Sequence, residues 1–116
     1  MTSLELAKKI AISLDDKKAK NINVIKVSEI SSLADYFVIA TGNSSTQVHA
    51  LSDNVEMSLK ESGIEPLALE GYRSEGWIIL DYGTVLVHVF TQQSRDFYDL
   101  DRLWADGIKV DIEYNI

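Results

Sequence analysis

The chain has 116 residues, a net charge of −7 and no cysteine, and 46% of its residues are hydrophobic. This length fits one domain over residues 1–116, and the lack of cysteine excludes disulfides, thiolate metal sites and a cysteine nucleophile. No apolar run approaches the roughly 18 residues of a membrane helix, and the N-terminus lacks the pattern of a secretory signal. We therefore expect a soluble cytoplasmic protein without membrane contact.

The charge is unevenly distributed along the chain. Residues 1–26 carry six lysines against three acids, a net of +3, and residues 27–116 carry five basic against fifteen acidic groups, a net of −10. An acidic surface repels phosphate backbones and attracts basic proteins. We expect little direct nucleic-acid binding and a basic protein as the partner.

The first half of the chain predicts two helices and two strands. Thr2 and Glu5 form a capping-box pattern for a first helix that ends near residues 15–20. Residues 23–27 are predicted to form a strand, and the continuous apolar run at 36–40 predicts a strand buried on both faces. The Gly/Ser-rich turn at 41–45 predicts the start of a second helix that extends to about Ser62.

The second half predicts three strands, a third helix and an edge strand. The strands are expected at residues 66–70, 76–82 and 84–91, with a hairpin turn at 81–84. A third helix over 94–104 and an edge strand over 108–112 follow. Phe97, Leu100, Leu103 and Trp104 would share the core-facing side of that helix. The pattern predicts an α/β fold, a mixed β-sheet flanked by helices.

The strongest catalytic candidate is the turn at Gly42–Ser45, which could hold a phosphate at a helix N-terminus. It lacks both the Walker lysine and the GxGxxG spacing, and a plain helix cap is the preferred interpretation. A strand, a Gly/Ser turn and a helix also match the layout of nucleotidyltransferases, which hold two metals on a D-x-D or D-x-E strand. Asp81 stands alone on its strand, and Asp99 and Asp101 lie in a helical pattern, so that pair is missing.

Two histidines complete the search for chemistry. His49 has Asp53 four residues later, and His88 lies within an apolar strand pattern. Neither has ligands at metal-binding spacing, and a surface or packed histidine is the preferred interpretation of each. We expect no enzymatic activity, no cofactor and no metal, with a nucleotide-binding enzyme of nucleotidyltransferase type as the alternative.

Four segments then occur in an order that resembles one family. They are ADYFVIATG (34–42), EGYRSEGWIILDYG (70–83), VHVF (87–90) and RDFYDLDRLW (95–104). Together with the first helix they resemble the ribosomal silencing factors, also called Iojap-like proteins, over nearly the whole chain. The segment TQQS (91–94) departs from the acidic residues expected there, which could weaken one peripheral contact.

The resemblance implies a nucleotidyltransferase-like fold that lacks the catalytic carboxylate pair and transferase activity. It also implies binding to the large ribosomal subunit through ribosomal protein L-fourteen, on the face that meets the small subunit. Occupation of that face would block subunit joining and repress translation under nutrient limitation. Many members of the family are homodimers.

The candidate partner-binding residues lie around the strand at 76–82. Alternation along a strand places Trp77, Ile79 and Asp81 on one face, opposite Ile78, Leu80 and Tyr82. Trp77 is the leading anchor, with a core tryptophan as an equally weighted alternative. The acids Glu70, Glu75, Asp81 and Asp99 could pair with basic residues of a partner. The full predicted set is Glu70, Tyr72, Arg73, Trp77, Ile79, Asp81, Tyr98, Asp99 and Arg102.

Overall fold

The structure is a computed structural model that describes residues 1–74 and 76–114. The elements in these ranges are α1 (Ser3–Asp16), β1 (Lys20–Lys26), β2 (Tyr36–Gly42), α2 (Ser45–Lys60), β3 (Ala68–Glu70), β4 (Trp77–Asp81), β5 (Val85–Thr91), α3 (Gln92–Tyr98), α4 (Leu100–Leu103) and β6 (Ile108–Val110). Within the described ranges, no helix has both the length and the apolar character needed to cross a membrane.

The strands form one six-stranded sheet in the order β3-β4-β5-β2-β1-β6. The central strands β2 and β5 run parallel, with Val38 beside Val87, and every other neighbouring pair is antiparallel. The prediction of a mixed sheet flanked by helices is therefore confirmed. All seven residues of β2 are buried, as its apolar run predicted.

Helices α1 and α2 cover the first face of the sheet. The predicted capping box starts α1, because Thr2 accepts from the Glu5 amide while the Glu5 carboxylate accepts from the Thr2 amide. Ser44 caps α2 by accepting from the Gln47 amide. The helix residues buried on this face are Leu6, Ala7, Ile10, Ala11, Leu14, Val48, Leu51, Val55 and Leu59.

The second face carries a smaller core that α3 and α4 cover in part. Its buried members are Ile25, Val27, Ala34, Phe37, Ile39 and Phe90. Trp77, Leu86, Leu100 and Trp104 pack against them and remain half-buried. This face is thus only partly closed, whereas the first face has two long helices above it.

The prediction of one continuous third helix over 94–104 is wrong. Asp99 adopts a left-handed conformation with φ 51° and ψ 49°, and the helix breaks there into α3 and α4. The break changes the direction in which later side chains point, and Leu103 is 70% exposed rather than packed in the core. Phe97, which precedes the break, is also exposed, at 79%. Leu100 and Trp104 do face the core, as predicted.

The strand boundaries also differ by a few residues from the sequence prediction. β1 begins at Lys20 rather than Asn23, β3 is limited to Ala68–Glu70, and the edge strand β6 ends at Val110. The hairpin turn between β4 and β5 lies where it was predicted, with Gly83 at φ 83°.

Candidate functional site

Strand β4 presents an alternating row of side chains to the two faces of the sheet. Ile78 and Leu80 are fully buried against α1 and α2, whereas Trp77, Ile79 and Asp81 lie half-buried on the second face. The β3–β4 register places Glu70 beside Ile79 on that same face. We call the surface formed by Glu70, Trp77, Ile79, Asp81 and Tyr98 the β4 surface.

Trp77 is the centre of an aromatic cluster on the β4 surface. Its ring centroid lies 4.9 Å from that of Phe90 and 4.5 Å from that of Tyr98. The indole Nε1–H donates to Nδ1 of His88 over 3.2 Å. Trp77 therefore packs on the second core cluster and stays half-buried, and its role as a partner anchor stays a prediction.

His88 lies beneath this cluster and was predicted only as a surface or packed histidine. It is 6% exposed, and burial lowers its pKa to about 4, so the ring is neutral at neutral pH. Because Nδ1 accepts from Trp77, the ring proton resides on Nε2. Within the described part of the chain, that nitrogen has no hydrogen-bond partner.

The two acids of the β4 surface have different surroundings. Glu70 is exposed on the short edge strand β3. Asp81 is half-buried, and one carboxylate oxygen accepts from the Gly83 amide over 2.7 Å, so this side chain also stabilises the hairpin turn. Glu75, another predicted acid, lies outside the described residues.

Tyr72 and Arg73 lie in an exposed loop before β4, but Tyr72 is drawn towards α2 rather than towards Trp77. Its hydroxyl donates to Asp53 over 2.9 Å, and its ring packs edge-on against His49 at 4.9 Å. Gly71 has φ 74°, and a Cβ there would lie 2.3 Å from the Trp77 carbonyl oxygen, so the loop needs glycine at this position. The structure thus separates Tyr72 from the aromatic cluster that unites Trp77 and Tyr98.

Asp99 and Arg102, the remaining predicted residues, lie at the break between α3 and α4. Both are exposed, and with Tyr98 and Leu103 they line a shallow surface groove. Arg102 and Leu103 donate backbone N–H bonds to the Asp99 carbonyl, which starts α4.

Arg95 fixes this arrangement, and the sequence analysis missed it. The side chain is buried and donates to both carboxylate oxygens of Asp101 at 2.9 and 3.0 Å. It also donates to Thr41 Oγ1 over 2.8 Å and to the Asn21 carbonyl oxygen. Burial acts to raise the pKa of Asp101, but the hydrogen bonds from Arg95 and Asn23 hold it below its usual value. No local sequence pattern signals such a network, because Asn21 and Thr41 are distant in the chain.

The turn at 42–45 caps helix α2 and packs closely against it. A Cβ on Gly42 would lie 3.0 Å from a Val48 methyl carbon and 3.1 Å from the Val48 amide, so this glycine lets α2 pack closely on the end of β2. The Gln47 amide donates to Ser44, and the Gln47 side chain accepts from the Asn43 amide. Two amides of this helix start, those of Asn43 and Gln47, are therefore already bonded within the turn.

In residues 1–74 and 76–114, no three His, Asp or Glu side chains are grouped as a metal site would require. The fold and the β4 surface define an α/β domain that presents a partly open, aromatic sheet face with acids at its border.

Comparison with known proteins identifies the family. Residues 1–115 match the family model described as "Ribosomal silencing factor during starvation", RsfS. A ribosomal silencing factor RsfS from Halalkalibacterium halodurans is 39% identical over 113 residues, 97% of each chain. A crystal structure of a Chromobacterium violaceum protein aligns with a TM-score of 0.88 at 36% identity, over 99% of this chain and 95% of that one. A mouse protein named mitochondrial assembly of ribosomal large subunit protein 1 is 30% identical over 95 residues, which are 79% of this chain and 42% of that protein.

The chain belongs to the ribosomal silencing factor family, which also includes the Iojap protein of maize chloroplasts. The resemblance noted from the sequence is thereby confirmed, and the family name indicates a ribosome-associated, regulatory role.

Proposed function

We propose that this protein binds the large ribosomal subunit through ribosomal protein L-fourteen and, by its bulk, prevents the small subunit from joining. Translation would be repressed in this way under nutrient limitation, in the cytoplasm and without catalysis or a cofactor. The observation that carries the proposal is the β4 surface, a partly open sheet face with a half-buried tryptophan at its centre. The name of the mouse relative, which refers to the large ribosomal subunit, points to the same partner.

The chemistry of the β4 surface suits a basic protein. Trp77 and Tyr98 are aromatic side chains of the kind that contributes most of the binding energy in protein interfaces. Exposed Glu70 and Asp99 lie at its border, and residues 27–116 carry a net charge of −10. Such a surface accelerates association with a basic partner and makes the rate sensitive to salt.

The nine predicted partner-binding residues do not contribute equally in this proposal. Trp77, Ile79 and Tyr98 form the apolar centre, whereas Glu70, Asp81, Asp99 and Arg102 form a polar rim. Tyr72 and Arg73 belong to a separate loop and extend the surface around the edge of the sheet. A homodimer and a nucleotidyltransferase-like fold, both implied by the resemblance, remain part of the proposal.

The test is binding of the purified protein to isolated L-fourteen and to separated large subunits. Trp77→Ala is compared with Met57→Ala, a control in which a 60% exposed apolar side chain is removed from α2 on the opposite side of the sheet. The proposal predicts that Trp77→Ala weakens binding to both targets at least tenfold while Met57→Ala does not. If the wild type binds large subunits but not L-fourteen, the partner assignment is wrong.

The alternative enzyme of nucleotidyltransferase type predicts binding of ATP or CTP with a divalent metal. The missing Walker lysine after the turn at 42–45 and the isolated Asp81 argue against it. Titration of the protein with nucleotide and Mg²⁺ by calorimetry tests it directly, and saturable binding would revive that alternative.

A further inference from the structure

Strand β3 leaves one edge of the sheet open. It lies at the end of the strand order, and β4 is its only neighbouring strand in the described part of the chain. All three of its residues, Ala68–Glu70, are exposed. The backbone N–H and C=O groups on the outer side of an edge strand lack partners within the sheet, so they can pair with a strand from another chain.

The side chains along this edge do little to prevent such pairing. Edge strands are commonly protected by a lysine or a proline within the strand. The opposite edge strand, β6, has exposed Lys109 at its centre. In β3 the central residue is Leu69, which is 38% exposed, and Leu67 just before the strand is 77% exposed. The short length of β3 is thus its main protection, and its accessible side chains are apolar.

A groove lies between helix α2 and the segment that leads into β3. It has a volume of about 320 Å³. Leu69 is opposite Leu80 in the β3–β4 register, and Leu80 is buried on the face that α2 covers, so Leu69 lies on the same side of the sheet as this groove. We call it the β3–α2 groove. Its lining residues are Asp53, Glu56, Met57 and Lys60 of α2, with Glu65 and Pro66.

The β3–α2 groove is acidic. Three of its six lining residues carry carboxylates, whereas only Lys60 carries a positive charge. In residues 1–74 and 76–114, none of these carboxylates forms a salt bridge, although Asp53 accepts a hydrogen bond from the Tyr72 hydroxyl. Charge complementarity therefore favours a ligand with lysine or arginine side chains over an acidic one.

We propose that the open edge of β3 and the β3–α2 groove form a docking site for an extended basic segment of a second partner protein. The segment adds to the sheet as a seventh strand, and its main-chain hydrogen bonds to β3 supply affinity. Alternate side chains of an added strand point to the groove side. Lysine or arginine at these positions lays its aliphatic stem along Leu67 and Leu69 and brings its charge to Glu56 or Glu65. The site does not rest on the proposed function, because its side chains lie on the face opposite to that of Trp77.

The test is an NMR titration of the ¹⁵N-labelled protein with two synthetic peptides of about eight residues, a common strand length. One peptide alternates valine with lysine, and the other alternates valine with glutamate. The lysine peptide should bind saturably, shift the amide signals of residues 68–70 and slow their hydrogen exchange. The glutamate peptide should bind at least about tenfold more weakly, because it brings like charges together. Equal binding of the two peptides, or no saturation by the lysine peptide at about 1 mM, overturns the proposal.

Two substitutions with matched controls locate the site. Leu67→Lys places a charge at the edge and should weaken binding of the lysine peptide at least about fivefold. Its control is Leu103→Lys, which makes the same change at a side chain that is 70% exposed on α4. Glu65→Gln should weaken binding about twofold to fivefold, as expected for one exposed ion pair. Its control, Glu29→Gln, removes the same charge from an exposed turn. If each variant binds as its control does, the peptide does not use this site and the proposal is wrong.

A second copy of this chain is the other candidate for the open edge. Pairing of two β3 strands would make the signals of residues 68–70 depend on protein concentration without peptide, and sedimentation equilibrium would show a dimer that Leu67→Lys dissociates. That result would overturn the assignment to a basic peptide. Peptide-induced changes centred on Trp77 and Tyr98 would place the peptide on the β4 surface and would overturn it as well.

Discussion

Replacement of His88 by glutamine should remove an acid sensitivity that the fold imposes on the wild type. His88 lies against Phe37, with ring centroids 5.1 Å apart, and accepts from Trp77 as a neutral ring. Burial lowers its pKa in the folded state to about 4, whereas an unfolded histidine titrates near 6.5. Between these values the unfolded chain binds a proton that the folded chain does not, so stability is lost as the pH falls through this range.

The size of this effect follows from the two pKa values. A difference of one pKa unit between the folded and unfolded states corresponds to about 1.4 kcal/mol of stability. When the pH falls from about 7 to about 4.5, it passes through roughly two units of the range between the two pKa values of His88. The free energy of unfolding of the wild type therefore falls by about 2–3 kcal/mol because of His88. Glutamine at this position does not take up a proton in this pH range, and its side-chain oxygen can accept the hydrogen bond from the Trp77 indole. The free energy of unfolding in the His88→Gln variant should therefore fall by about 2–3 kcal/mol less than in the wild type over that interval.

The assay is urea unfolding of both proteins at the two pH values, followed by tryptophan fluorescence. Trp77 and Trp104 both pack against the second core cluster, so the signal reports the region around His88. Carboxylates that titrate near the lower pH affect both proteins alike and cancel in the difference. Equal losses of stability in wild type and His88→Gln would refute the reasoning.

Three further predictions concern the fold and the proposed surface. Arg95→Leu removes the ion-pair partner of Asp101, which keeps the hydrogen bond from Asn23. It should lower the free energy of unfolding by about 2–3 kcal/mol in urea titrations, a value reduced because the Asp101 side chain is 31% exposed. Gly71→Ala combines a left-handed backbone with a clash against the Trp77 carbonyl, and its loss of stability should exceed the roughly 1–2 kcal/mol of backbone strain alone. The association rate with L-fourteen, followed by stopped-flow fluorescence, should fall steeply between low and physiological salt, while dissociation changes little.

Each of these predictions has its own control. For Arg95→Leu, a decrease of less than about 1 kcal/mol in the free energy of unfolding would show that the ion pair and the other hydrogen bonds of Arg95 contribute little to stability. For Gly71→Ala, the control is Gly63→Ala, since Gly63 also has positive φ but its Cβ would meet nothing within 4 Å. Equal losses in the two glycine variants would mean that the contact with Trp77 is unimportant. An association rate that is independent of salt would argue against the acidic rim.

Local features of the fold were predictable because they depend on neighbouring residues. The capping box of Thr2 and Glu5, the hairpin turn at Gly83 and the burial of β2 all follow from short patterns, and the structure confirms them. The alternation of β4 also holds, and Trp77 and Ile79 lie on one face as the strand pattern predicted.

The features that failed depend on contacts between distant parts of the chain. The break at Asp99 is stabilised by Arg95 and Asp101, and Arg95 in turn needs Thr41 and the Asn21 carbonyl oxygen. The helical spacing of 94–104 is continuous in the sequence, so periodicity alone predicted one helix and placed its apolar side chains in the core. The pairing of Tyr72 with α2 is similarly non-local, because residues 49 and 72 come together only in the folded chain.

The central claim is that the β4 surface holds this protein on the large subunit and so prevents subunit joining. Its most direct test is to add the protein to separated ribosomal subunits and follow their reassociation on a sucrose gradient, with Trp77→Ala and Met57→Ala in parallel. The account predicts that the wild type and Met57→Ala migrate with the large subunit and deplete the joined ribosome peak, whereas folded Trp77→Ala does neither. A wild-type protein that migrates free and leaves joining unchanged would contradict the account.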